Sequence, residues 1–120
     1  MQTRKFLIIC RRAPYDSSVS GLAVQLAMAA AAFDQPLALL FIGDGVLQLL
    51  PGQQPGEIGE KSIEKHISAL TLYDIDQFYV DEASLRERGM SIDNLAARPK
   101  PLNAGELPGF CADYDVVFNF

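Results

Sequence analysis

The sequence predicts a three-layer α/β/α fold built on a largely parallel sheet of four or five strands, in a single domain spanning residues 1–120. Three observations carry this. Phe6-Leu7-Ile8-Ile9-Cys10 and the run Leu37 to Ile42 are apolar without alternation, the mark of strands covered on both faces. Apolar residues between and after these runs recur at helical spacing. Strands that alternate with helices pack as a parallel sheet with helices on its faces.

Arg4 to Arg11 forms the first strand, followed by the loop Ala13 to Ser18. A helix capped by Ser17 or Ser18 carries the apolar stripe Leu22, Leu26, Ala29, Ala30 and Phe33, and Gln35-Pro36 ends it. The second strand then runs from Leu37 into Gly43-Asp44-Gly45, a turn in which two glycines open backbone conformations closed to most residues. Pro51 to Gly59, with two prolines and three glycines, is a loop. Ile63, Ile67 and Leu70 define a second helical stripe between Glu60 and Leu72, and Gln77 to Val80 is a third strand. Asp81 to Gly89 reads as one or two helical turns whose acidic start and basic end suit the helix dipole, closed by a glycine. Leu95 to Arg98 is expected as a fourth strand broken by Pro99 to Pro101, Ala104 to Ala112 as a loose helix, and Tyr114 to Phe120 as the last strand.

The chain has 120 residues, 49% of them apolar and 21% charged, which suits a soluble domain able to bury its own core. A formal net charge of -5 gives no electrostatic footprint for a nucleic-acid backbone, so direct nucleic-acid binding is not expected. The run Phe6 to Cys10 is too short for a signal-peptide core and no segment reaches membrane-spanning length. Cys10 and Cys111 stand far apart without metal-ligand or disulfide spacing, so the expectation is a cytoplasmic protein with reduced thiols, no metal and no cofactor.

The stretch LALLFIGDGVLQLLPGQQ, Leu37 to Gln54, is the unusual one. Val46, Leu47, Leu49 and Leu50 lie directly beyond a strand end, and part of this set is a candidate partner interface, although Val46, Leu49 and Leu50 have the spacing of one core-facing helical side. Leu47 and Gln48 fall off that side. Arg86 and Arg88 are either a solvated face or a second partner contact. His66, the only histidine, sits at the margin of an apolar stripe and reads as structural; Asp44 is explained by turn chemistry, and Asp81 and Glu82 by a helix start.

The blocks FIGDGVLQLLPGQ (Phe41 to Gln53), LTLYDIDQFYV (Leu70 to Val80), SLRERG (Ser84 to Gly89) and YDVVFNF (Tyr114 to Phe120) resemble the TusC/DsrF branch of the DsrE/DsrF/DsrH-like proteins. The resemblance spans nearly the whole chain and implies the DsrE/DsrF-like fold. It also implies one subunit of a cytosolic TusB/TusC/TusD-type heterohexamer with TusB-like and TusD-like sister chains. Such an assembly passes persulfide sulfur along cysteines toward 2-thiolation of the tRNA wobble uridine, and a related one serves sulfur oxidation. In the TusD/DsrE branch the sulfur-carrying cysteine stands at a strand end that corresponds here to Tyr79-Val80-Asp81-Glu82-Ala83. A carboxylate cannot replace a thiolate in that chemistry, so this chain is expected to be a non-catalytic subunit with no catalytic residue of its own.

Two other readings stay open on residues alone. Asp16-Ser17-Ser18-Val19-Ser20-Gly21 leads into a helix start, as in a flavin- or nucleotide-binding flavodoxin-like domain, though it lacks a glycine fingerprint or a P-loop lysine. A stand-alone sulfurtransferase would have to use Cys10 or Cys111, of which Cys10 sits in an apolar strand as a small hydrophobe does.

Overall fold

The computed structural model describes residues 4–11, 25–29, 36–50, 70, 75, 77–95 and 98–120. Five strands form one sheet: β1 (Phe6–Cys10), β2 (Leu37–Phe41), β3 (Phe78–Asp81), β4 (Lys100–Leu102) and β5 (Val116–Asn119), in the order β4-β3-β2-β1-β5. Every pairing is parallel, with Phe6 opposite both Leu37 and Val116, Leu39 opposite Phe78 and Tyr79 opposite Lys100. The two unbroken apolar runs are therefore the interior strands β1 and β2, buried along their whole length apart from Phe6. Their lack of alternation follows from having a packed layer on each side.

The two faces carry separate cores. On one, Ile8, Cys10, Leu39, Phe41, Phe78 and Val80 pack with Ala27 of the helical residues 25–29, with Leu70, and with Val46, Leu49 and Leu85. On the other, Leu7, Ile9, Ala38, Leu40 and Leu102 pack under Leu107, Phe110, Cys111 and Tyr114. Glu82–Glu87 forms a short helix, α1, directly after β3, and Leu107–Ala112 forms α2, with its proline in the first turn, where a missing N–H costs nothing. No helix among the described residues is long and apolar enough to cross a membrane.

Several expectations are corrected. The fourth strand is Lys100–Leu102, not Leu95 to Arg98; Leu95 instead follows a 3-10 turn at Ile92–Asn94. Pro101 reads as a breaker in isolation, but β4 is an edge strand with a ladder on one side only, which is where a residue without an N–H is tolerated. Among the described residues of that helix Ala29 is exposed and Ala27 is buried. The expected stripe residues Leu22, Ala30 and Phe33 lie outside the described residues, as do Ile63, His66, Ile67 and the serine-rich loop 16–21.

Candidate functional site at the strand ends

In a parallel sheet all strands finish on one side, and the turns that follow them form the natural place for a site. Here β2 and β3 both end in short helical elements that lean on each other. After Ile42, Gly43 turns with φ +59° and the chain enters a 3-10 helix, Gly43–Leu49. Ile42 donates its N–H to the Cys10 carbonyl at 3.0 Å, which ties the exit of β2 to the end of β1. Gly45 lies so close behind that a Cβ there would stand 1.9 Å from the same carbonyl oxygen, so only glycine fits.

The 3-10 helix decides the fate of the apolar set. At three residues per turn, Val46 and Leu49 share one side, and both are fully buried in the chain's own core. Leu47 is half-buried, while Leu50 lies beyond the last turn at 38% exposure. The shared side therefore excludes Leu50. Gln48 is only 2% exposed, which corrects the expectation that it lies off the covered side.

Asp81 ends β3 and precedes α1 as its cap residue, yet its carboxylate makes no cap to the helix backbone. Its Oδ2 accepts from Ser84 Oγ at 2.6 Å, and Ser84 Oγ in turn accepts from the Gly43 N–H at 2.8 Å. A buried side-chain relay thus joins the ends of β2 and β3. Asp81 is 8% exposed and its Oδ1 has no hydrogen-bond partner. Arg88 makes a second tie: Nε and Nη2 donate to Asp44 Oδ1 at 3.2 and 2.9 Å, and Nη1 donates to the Ser84 carbonyl at 3.0 Å. Arg86 points away and pairs with Glu82 one turn earlier.

Neither thiol joins this cluster, although Cys10 ends β1 at the same rim. Cys10 points into the buried face of β1, where burial pushes its thiol up to about 12 and disfavours the reactive thiolate. Cys111 is half-buried on α2, against the opposite face of the sheet, beside Phe110 and Tyr114. Among the described residues the strand-end cluster brings together Asp44, Asp81, Ser84 and Arg88 without a thiol or an imidazole, and no group of three metal-ligating side chains forms. The sequence reading missed Ser84 and the Asp44–Arg88 pair, since neither has a local signal.

The chain is 36% identical to the Protein TusC homolog of Pseudomonas aeruginosa over 115 residues, covering 96% of this chain and 97% of that one. The crystal structure of the ychN protein from E. coli superposes with a TM-score of 0.85 at 25% identity, covering 98% of this chain and all of that one. A conserved protein of unknown function from Bacteroides thetaiotaomicron shares the fold, with a TM-score of 0.70 at 10% identity over 98% of this chain and 95% of its own. The profile of the DsrE/DsrF-like family matches residues 4–120, and the chain belongs to that family.

Proposed function

We propose that this protein is a non-catalytic subunit of a cytoplasmic sulfur-relay assembly of the TusB/TusC/TusD type, joined to TusB-like and TusD-like sister chains in a heterohexamer that serves tRNA wobble-uridine 2-thiolation. The observation that carries this is Asp81. It occupies the strand end that corresponds to the sulfur-carrying cysteine of the TusD/DsrE branch, and Ser84, itself fixed by the Gly43 N–H, holds it as part of the scaffold. A carboxylate there cannot form a persulfide. The buried Cys10 and the remote Cys111 offer no substitute at that rim. Likeness to the Pseudomonas TusC homolog supports the same reading.

In this reading the chain contributes surface rather than chemistry. With Val46 and Leu49 spent on its own core, the apolar candidates left for a sister subunit are Leu47 and Leu50, and Arg86 is the candidate cation left exposed; Arg88 is held by Asp44. Leu50→Asp should leave the chain folded and weaken copurification with its sisters, because a buried apolar anchor dominates docking energy.

The direct test charges the coexpressed complex with labelled sulfur from a cysteine desulfurase and its persulfide carrier. Label is expected on a sister chain and not on this one, and deletion of this chain is expected to abolish 2-thiolation. Stoichiometric persulfide on Cys10 or Cys111 would overturn the non-catalytic assignment.

A further inference from the structure

The two edges of the sheet are built differently. β4 has three residues, including Lys100 and Pro101, the devices by which edge strands avoid pairing with other chains. β5 has none of them. Val116, Val117, Phe118, Asn119 and Phe120 place apolar side chains on both faces, the composition of an interior strand, yet Val117 is 40% exposed and β5 has no outer ladder partner among the described residues. The N–H groups of Val116 and Phe120 donate to the carbonyls of Lys5, just before β1, and Ile9, within it. In a parallel ladder the intervening Val117 and Asn119 then turn their N–H and C=O groups outward.

The same edge carries a charge at each end. Asp115, just before β5, is exposed while its Oδ2 accepts from the Lys5 N–H at 2.7 Å, and the exposed Arg11 reaches the far end of the strand, donating from Nε to Asn119 Oδ1 at 3.1 Å. Asp115, Val117 and Asn119 alternate onto one face of the strand. We infer that β5 is a self-association edge, at which a second copy of this chain pairs antiparallel with Val117 on the two-fold axis. That register pairs the outward backbone groups of the two Val117 residues and sets Asp115 of each copy opposite Asn119 and Arg11 of the other. A parallel partner would bring like charges together. An isologous antiparallel pair matches opposite charges twice, which is why the occupant is a second copy. The inference does not rest on the sulfur-relay reading.

The test is sedimentation of the purified full chain over a dilution series, alongside thermal melts. The unmodified chain is expected in a monomer–dimer equilibrium. Val117→Pro removes a donor that β1 does not use, so it should melt nearly as the unmodified chain does and stay monomeric. Arg11→Asp should weaken the dimer several-fold, and adding Asp115→Arg should recover most of the loss. If Val117→Pro does not fold, Val117→Cys in a Cys111→Ser chain decides, since oxidation should yield a disulfide-linked dimer across the axis. A chain that stays monomeric at its highest soluble concentration, a folded Val117→Pro chain that still dimerises, or no cross-link would overturn the inference. Sister chains that copurify with a chain failing these tests would leave the sulfur-relay reading standing. A β5 dimer that captures no sister chain would do the reverse.

Discussion

Arg88 closes on Asp44 across 44 residues of sequence, two of its nitrogens meeting a single carboxylate oxygen. The pair bridges α1 to the 3-10 helix after β2, so the turns that leave two neighbouring strands are held by one guanidinium. Asp44 is 61% exposed and Arg88 25%, which places the pair in the solvent-screened range of roughly 0.2–1 kcal/mol. Arg88→Ala should cost about 1 kcal/mol, because it also removes the bond to the Ser84 carbonyl, and Asp44→Ala should cost less. A double-mutant cycle by urea unfolding should return a coupling that shrinks as salt is raised.

Ser84 is the most sensitive polar position of the cluster. Ser84→Ala removes the donor to Asp81 and the acceptor for Gly43 together, leaving a buried carboxylate with neither oxygen paired. A loss of about 2–3 kcal/mol is expected, read from the urea midpoint at unchanged m-value. Ser84→Thr, which keeps the hydroxyl, should recover part of it.

Gly45→Ala should be worse than any polar change. The added methyl would meet the Cys10 carbonyl carbon and oxygen, which are backbone atoms of a buried strand and cannot rotate away. Insoluble expression, or a destabilisation of about 3 kcal/mol or more in soluble material, is expected. Gly109→Ala, where a Cβ meets nothing, is the matched control and should express normally.

Alkaline pH should weaken the fold through Cys10. Burial raises its folded-state value to about 12 from an ordinary 9.0, so above pH 9 the unfolded chain releases a proton that the folded chain keeps. Stability is unaffected below that point and falls as pH rises through the window, with a limiting slope of about 1.4 kcal/mol per pH unit from one such group. Tyr114, raised to about 12 by desolvation and then by Tyr79, Asp113 and Cys111, acts in the same direction. Urea midpoints measured from pH 8 to 11 should decline, and Cys10→Ala should flatten the decline. Native alkylation at pH 8 should modify Cys111 ahead of Cys10.

Most of the sheet was legible because β1 and β2 are unbroken apolar runs, and burial on both faces leaves that trace in composition. The short helix after β3 was legible from its acidic start and closing Gly89, an end the structure keeps at φ +63°. Lys100–Leu102 was not legible, since an edge strand with one ladder partner can hold a proline that local rules treat as a stop. Nor was the cluster, because Gly43 and Ser84 meet across 41 residues and only the sheet order brings them together. Gln48 was misread because α-helical spacing of Val46, Leu49 and Leu50 leaves it off the apolar side, whereas the 3-10 turn carries it inward.

The place of β5 beside β1 sets a timetable for synthesis. Lys5 and Asp115, which join the starts of these two strands, are separated by 110 residues. β1 can pair with β2 early, but its other edge stays open until β5 emerges, a delay on the order of ten seconds at common translation rates. During that interval Leu7 and Ile9, later buried, lie beside a bare ladder edge. Nascent chains should therefore be most prone to capture by chaperones or by one another just before their last strand is made, and arrest of translation near residue 112 should leave a species far stickier than the finished protein.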